Sequence, residues 1–219
     1  MSQKSSGNLA EQIAANLGER IICGELTSGT PIREQAVTAD LQVSRGSVRE
    51  ALLILQRQQL VDIFPRRGAQ VKQLTTENVG ALYEFSSMLY TQLGTFTAQR
   101  WQTESQLMVF VDVRRQLEHS MQQRNLRGFV EHSFAILRAA GPIAGNPFLM
   151  QAIENLIPAI SRTYHMALER RRDEMASFTR KFDRLLMAVR ERDIPLLEEV
   201  VKEYNQHNCE LVLASLAEG

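Results

Sequence analysis

The chain has 219 residues with 25 basic and 25 acidic side chains, which gives a formal net charge of zero. This length supports one large hydrophobic core or two modest ones, and the balanced charge excludes binding to nucleic acid by bulk positive charge alone. The only cysteines, Cys23 and Cys209, are too far apart in sequence to indicate a disulfide scaffold or a cysteine-type metal site. The chain begins without the apolar segment of a signal peptide and has no run apolar enough to span a bilayer, so we expect a cytoplasmic protein without membrane contact.

The first third of the chain predicts three short helices. Residues 9–23 form an amphipathic pattern that ends at Gly24. After a turn over residues 27–31, a second helix is predicted from Ile32 to Leu41, and a very short connection leads to a third helix that opens at Ser44. Two short helices joined this closely are typical of a helix-turn-helix, whose second helix reads DNA.

The third helix has the pattern of a recognition helix. An apolar stripe lies on one side, while Arg45 and Arg49, four residues apart, share another side; the stripe consists of Val48, Ala51, Leu52 and Leu55. Ser44 is positioned to cap the helix, and Ser47 is expected to offer its hydroxyl to a phosphate or a base. The alternative is an ordinary surface helix with solvated arginines.

The segment that follows predicts a basic β-hairpin, or wing. Residues 61–64 and 69–72 have strand-like patterns, and Pro65-Arg66-Arg67-Gly68 forms a tight basic turn between them. The arginines of this turn can reach phosphates or the minor groove. Residues 1–74 are therefore predicted to form a winged helix-turn-helix of three helices plus a hairpin, with these DNA-contact candidates: Ser44, Arg45, Gly46, Ser47, Arg49, Arg66, Arg67 and Gly68.

Residues 75–219 are almost wholly helical in pattern. Six amphipathic segments with short connections predict an all-α six-helix bundle, so the whole protein is expected to be mostly α. The first of these helices should bury one stripe, and Gly141-Pro142 should end the third near Ala140; the stripe consists of Leu82, Phe85, Leu89, Leu93 and Phe96. Bundles bind their ligands between facing helices.

The chain resembles the GntR family of transcription factors. The resemblance rests on Gly24-Glu25-Leu26, Ile32-Arg33-Glu34, Val43-Ser44-Arg45, Val48-Arg49-Glu50-Ala51-Leu52, Leu60-Val61 and Arg67-Gly68. The family usually has Thr-Pro where this chain has Gly46-Ser47. The helical remainder resembles the FadR subgroup, with its ligand-sensing FCD domain. This resemblance implies a homodimeric repressor on a short palindromic double-stranded DNA operator, with an effector in the bundle.

The resemblance also implies positions at which to look for a metal. In many members of the subgroup, an aspartate and a histidine on one helix combine with a histidine from each of the last two helices. Phe182 and Tyr204 occupy the last two positions here. The first pair is Glu131 and Ala135 in one register, or Ser133 and Leu137 in the other. None of these residues is a histidine, so no metal and no cofactor is expected. The histidines elsewhere leave a relocated site open.

We therefore predict a sequence-specific DNA-binding regulator that responds to an apolar or aromatic effector, such as a fatty-acyl or ring compound, and that is not an enzyme. Ser86 and Tyr90 replace an arginine and a glutamate that are common in the family, which removes a usual partner for a ligand carboxylate. The alternative is a constitutive DNA-binding dimer whose bundle only dimerises and whose core is collapsed. The predicted effector pocket consists of Phe85, Ser86, Leu89, Tyr90, Glu131, Ala135, Phe182 and Tyr204.

Overall fold

A computed structural model describes residues 3–65 and 67–218 of the chain. The described residues form nine helices and three short strands, arranged in two compact units. The first unit holds the described residues up to Thr75 together with Asn155–Arg162, and the second holds Thr76–Glu154 and the described residues from Thr163 onward. Within these ranges, none of the helices is both long and apolar enough to cross a membrane.

The first unit contains a winged helix. Its elements are α1 (Gln3–Ile22), β1 (Pro31–Ile32), α2 (Glu34–Leu41), α3 (Arg45–Arg57), β2 (Val61–Phe64) and β3 (Gly68–Val71). The strands form an antiparallel sheet in the order β1-β3-β2, in which Val61 pairs with Val71 and Phe64 with Gly68. The predicted class of this region, three helices plus a hairpin wing, is confirmed.

The described residues from Thr76 onward form six helices, as predicted. They are α4 (Thr76–Arg100), α5 (Glu104–Gln122), α6 (Leu126–Ala144), α7 (Pro147–Arg170), α8 (Glu174–Glu191) and α9 (Ile194–Ala217). Three of them begin at a side-chain cap, because Asn125, Asn146 and Asp193 each accept a hydrogen bond from the backbone N–H three residues later. These caps set the short connections before α6, α7 and α9.

The core of the first unit holds α3 by its apolar stripe. Val48, Ala51 and Leu55 are fully buried, and they pack with Leu17 of α1 and Leu60 before β2 in one cluster. Truncating a leucine in such a position typically costs about 2–5 kcal/mol. The buried side of α3 is therefore fixed, and its opposite side remains in solvent.

Helix α2 begins later than predicted. The sequence predicted helix from Ile32, but Pro31 and Ile32 form strand β1, and Ile32 pairs with Ala69 of β3. A proline can occupy the first position of an edge strand because its missing N–H is not needed there for pairing. Proline also disfavours helical conformation in the residue before it. Because Ile32 is buried in this pairing, the helix starts only at Glu34.

Helix α6 runs past the predicted break. Pro142 lies inside it, and the helix ends at Gly145, whose left-handed conformation (φ +59°) and N–H bond to the Gly141 carbonyl close the last turn. A Cβ at Gly141 would lie 2.9 Å from the sulfur of Met150. Gly141 therefore serves close packing within the unit and does not stop the helix.

Helix α4 buries a different face from the one predicted. Phe85 is 47% exposed, and Leu82, Leu89 and Phe96 are only partly buried. Three hydroxyl groups on the buried face explain the difference, because those of Tyr83, Ser86 and Thr97 have hydrogen-bond partners inside the bundle. The buried face consists of Val79, Tyr83, Ser86, Tyr90, Leu93 and Thr97.

Candidate DNA-binding surface and effector cavity

The start of α3 presents two arginines to solvent. Ser44 is the extended residue before the helix, and its Oγ accepts a hydrogen bond of 3.1 Å from the Ser47 backbone N–H. Arg45, Gly46 and Arg49 are exposed on the helix that this cap begins. The predicted geometry, in which guanidinium groups lie opposite a buried stripe, is therefore present.

Ser47 is placed differently from the prediction. Its side chain is 8% exposed, and its Oγ lies 2.9 Å from Ser44 Oγ. The prediction that Ser47 offers its hydroxyl to DNA needs correction, because this hydroxyl is engaged in the cap. Ser44 remains exposed.

Arg49 forms an ion pair across the helix-turn-helix. Its Nε lies 2.9 Å and 3.1 Å from the two carboxylate oxygens of Glu34, in the first turn of α2. Arg49 nevertheless keeps 68% of its side chain exposed. A pair of this kind has little effect on stability in water, but it orients the guanidinium while using only Nε.

The wing turn requires its glycine. Gly68 has φ +86° and pairs with Phe64, and a Cβ at this position would lie 3.4 Å from the Ile32 carbonyl oxygen. The Arg67 N–H donates to the Phe64 carbonyl at 3.1 Å, and the Arg67 side chain is exposed. Arg66, the other predicted wing contact, lies outside the described residues.

A small apolar cavity lies within the second unit. Its volume is about 90 Å³, and side chains from α4, α5, α6, α8 and α9 line it. Phe178 and Tyr204 both line the cavity, and their ring centroids are 5.5 Å apart in an edge-to-face arrangement. The lining consists of Tyr90, Leu93, Gly94, Thr97, Phe110, Ser133, Phe134, Ile136, Leu137, Ala140, Phe178, Lys181, Phe182, Leu185, Leu186, Val189, Val200, Val201 and Tyr204.

Three of the predicted pocket residues line this cavity: Tyr90, Phe182 and Tyr204. Phe85 does not, because it is five residues before Tyr90 and therefore lies about 140° away around α4. Ser86 is on the correct face but one turn too early, and its hydroxyl donates to Asn205 Oδ1 at 2.9 Å. Half-buried Leu89 is also outside the lining.

On α6 the structure favours one of the two registers left open. Ser133 and Leu137 line the cavity, whereas Glu131 is exposed and Ala135 is outside the lining. Residues two apart on a helix lie about 200° apart, so only one of the two pairs can face the cavity. The placement of Glu131 and Ala135 in the pocket is therefore corrected to Ser133 and Leu137.

Comparison with protein families gives two matches, one in the region of the winged helix and one in the region of the helical bundle. Residues 9–71 match the family described as "Bacterial regulatory proteins, gntR family", and residues 81–207 match the FCD domain. The protein is a GntR-family regulator of the FCD subgroup. The resemblance inferred from the sequence is thereby confirmed.

Related GntR proteins are named as transcriptional repressors. The HTH-type transcriptional repressor RspR of Escherichia coli is 25% identical over 92% of this chain and 88% of its own length. The gluconate operon transcriptional repressor of Bacillus subtilis is 34% identical over 40% of this chain, and the match spans only 35% of that repressor. None of these names is that of an enzyme.

Solved structures of GntR regulators share the fold. E. coli McbR/YncC superposes with a TM-score of 0.78 at 17% identity, covering 95% of this chain and 98% of that one. A GntR regulator from Rhodococcus sp. RHA1 superposes with a TM-score of 0.75 at 18% identity, covering 94% and 97%. At such low identity the likeness concerns the fold alone.

The cavity of this GntR regulator does not fit a transition metal. Its lining contains no histidine, cysteine, aspartate or glutamate, and such metals need nitrogen, sulfur or carboxylate ligands. Among the described residues, no three such side chains come close enough together to hold an ion. Two of the histidines have other contacts: His132 with Ser120, and His207 with Glu174.

Sequence reasoning missed two functional candidates in this regulator. Glu34 stands in the quoted motif Ile32-Arg33-Glu34, but its contact with Arg49 joins residues fifteen apart and has no helical spacing. Lys181 directly precedes Phe182, yet a lysine on an amphipathic helix normally lies in solvent. Its place in the cavity lining depends on the packing of α8 and leaves no signal in the sequence.

Proposed function

We propose that the protein is a cytoplasmic, homodimeric transcriptional repressor that reads a short palindromic operator. It responds to a small, largely apolar effector, which binds in the cavity of the helical domain without a metal ion. The winged helix binds DNA, and the bundle holds both the effector and the second subunit. The observation that carries the proposal is the exposed arginine pair on the capped start of α3, in a chain of the GntR family.

The recognition step uses Arg45 and Arg49. An arginine at the N-terminal end of a recognition helix can donate to guanine O6 and N7 together, which distinguishes guanine from the other bases. Glu34 engages Nε of Arg49, so the terminal amino groups are the ones presented to a base. The wing residue Arg67 supplies phosphate contacts that position the protein without reading the sequence.

An exposed apolar face on α4 supports the homodimer. Phe85 and Met88 are 47% and 64% exposed, and residues three apart on a helix are neighbours. A second copy of this chain would remove both side chains from water, at roughly 25 cal/mol for each Å² buried. Two copies are also needed because one winged helix contacts too few base pairs to select a single site in a genome.

The cavity lining supports an apolar effector. Fourteen of its nineteen residues are neither hydroxyl-bearing nor charged, so burial of apolar surface would dominate binding. Such a ligand changes operator affinity only if it binds one arrangement of the dimer better than the other. A ligand that raises the melting temperature would separate this proposal from a bundle that only dimerises.

The test begins with selection of the DNA that the full-length protein binds from genomic fragments. We expect one enriched sequence with two half-sites related by a dyad, and a dimer in sedimentation experiments at micromolar concentration. Arg45→Ala should lower affinity for that sequence by roughly 5- to 150-fold per half-site, with a much smaller loss on random DNA.

Arg57→Ala is the matched control. Arg57 is exposed on the same helix but in its last turn, about 18 Å from Arg45 along the helix axis. Both variants remove one positive charge, so an effect of net charge alone would weaken binding equally in the two. Equal losses on selected and random DNA for Arg45→Ala, or a monomer in solution, would contradict the proposal.

A further inference from the structure

Five of the side chains that line the cavity have polar groups, and three of these groups have polar neighbours within the bundle. The Thr97 and Ser133 hydroxyls each donate to a backbone carbonyl of their own helix at 2.7 Å, and the Asn208 side chain is the polar neighbour of the Tyr204 hydroxyl. The Thr97 and Ser133 hydroxyls are therefore satisfied without a ligand. The remaining two, Tyr90 and Lys181, determine the polar chemistry of the cavity.

The Tyr90 hydroxyl is buried and has no hydrogen-bond partner among the described residues. Leaving a buried polar group unpaired is costly, so each such group needs an explanation, and a bound molecule is one. Burial also raises the pKa of Tyr90 well above its ordinary value, so the hydroxyl keeps its proton. Tyr90 therefore offers a hydrogen-bond donor to whatever enters the cavity.

Lys181 is the single charged residue of the lining. Its side chain is partly buried, and this desolvation lowers its pKa, although Glu174 and Glu203 nearby act in the opposite direction. No salt bridge joins Lys181 to a carboxylate in the part of the chain that the structure describes. A partly desolvated ammonium group without a direct counter-ion favours binding of an anion.

Both groups are therefore donors, and no carboxylate lines the cavity to receive a cation. We propose that the cavity binds a small monocarboxylate with an apolar body. Lys181 holds the carboxylate, and one of its oxygens accepts a hydrogen bond from the Tyr90 hydroxyl. This inference rests on the proposed function of the cavity as the effector site and specifies the charge of the effector. Because the lining has one cation, it can neutralise one carboxylate, and the second charge of a dianion would be buried without a counter-ion.

The volume of the cavity limits the apolar body. It measures about 90 Å³, whereas an engineered apolar cavity of roughly 150 Å³ binds benzene. One ring, or a branched chain of similar size, is therefore the apolar body that we expect, with small adjustments of the lining side chains. A long fatty-acyl chain, which the sequence left open, exceeds this volume.

Three nearly isosteric probes separate the charge of the ligand from its shape. Benzoate is anionic, benzamide is neutral and benzamidine is cationic, and calorimetric titration of the full-length protein measures each. We expect benzoate to bind at least tenfold more tightly than benzamide and to raise the melting temperature, and benzamidine to show no binding. Tyr90→Phe should weaken benzoate binding by about tenfold, the loss of a hydrogen bond to a charged acceptor.

Lys181→Met and Lys202→Met form a matched pair. Lys202 is exposed on α9 and does not line the cavity, so its substitution removes the same charge from outside the site. We expect Lys181→Met to abolish the preference for benzoate over benzamide and Lys202→Met to retain it. If both variants lost the preference for benzoate equally, the preference would depend on the net charge of the protein and not on Lys181, and the inference would be overturned.

The remaining outcomes distinguish this inference from the proposed function. Equal binding of benzoate and benzamide would overturn the monocarboxylate inference but keep an apolar effector. Binding of none of the three probes would also overturn it, while operator selection and sedimentation would still decide whether the protein is a dimeric regulator. Preference for benzamidine would contradict the charge argument directly.

Discussion

Two tyrosines on one helix provide a sharp test of the cavity argument. Tyr83 and Tyr90 are two turns apart on the buried face of α4, and both are less than a tenth exposed. The Tyr83 hydroxyl lies 3.1 Å from Thr163 Oγ1, whereas the Tyr90 hydroxyl has no partner among the described residues. Replacing each by phenylalanine removes the same atom from the same helix face.

The two substitutions should change the free energy of unfolding in opposite directions. Tyr83→Phe removes a made hydrogen bond, which typically costs about 0.5–1.5 kcal/mol. Tyr90→Phe removes an unpaired buried hydroxyl whose desolvation costs roughly 1–3 kcal/mol, so the ligand-free protein should gain up to about that amount. For a chain of this length, 1 kcal/mol shifts the melting temperature by about 2–4 °C.

Scanning calorimetry is the appropriate assay, because the two units can unfold in separate transitions. Only the transition of the helical unit should shift, upward for Tyr90→Phe and downward for Tyr83→Phe. If Tyr90→Phe lowers the transition as Tyr83→Phe does, the Tyr90 hydroxyl is satisfied in the free protein. The argument that it awaits a ligand would then be refuted.

Three further results are expected. Gly46→Ala should stabilise the winged helix by about 0.5–1 kcal/mol, because the nearest atom to the new Cβ lies 3.7 Å away; a calorimetric loss of stability would contradict the observed helix start. Phe85→Glu combined with Met88→Glu should shift sedimentation from dimer to monomer, since both side chains are exposed in one subunit; an unchanged dimer would place the interface elsewhere. Elemental analysis should find no stoichiometric transition metal, and chelators should leave the melting temperature and DNA binding unchanged, because Phe182 and Tyr204 are not metal ligands; one zinc, nickel or manganese per chain would overturn this expectation.

The winged helix could be predicted largely from local signals. The cap at Ser44, the buried stripe of α3 and the positive φ at Gly68 each depend on residues close in sequence. Strand β1 escaped prediction because two residues are too few for a periodic pattern, and it forms only by pairing with β3, more than thirty residues away in sequence. Ser47 was misplaced because a serine in the first turn of a helix can serve either DNA or the cap.

The helical unit was harder to predict because partners decided which face of α4 is buried. Counting apolar residues favours the face with Phe85 and Leu89, yet the bundle buries the face with Tyr83 and Ser86. The Ser86 hydroxyl donates to Asn205 of α9, and Tyr83 lies against Thr163 of α7. These hydrogen bonds span 80 or more residues, so the sequence pattern gives no sign that the hydroxyls will be satisfied.

The same reasoning explains why the effector site is the least predictable part of this chain. Tyr83 and Tyr90 are chemically identical, share a helix face and differ only in what the neighbouring helices bring to their hydroxyls. On α6, the choice between Glu131 and Ser133 likewise depends on how that helix is rotated in the bundle. A binding cavity is defined by the polar groups that folding leaves without partners, and this property exists only after every helix has been packed.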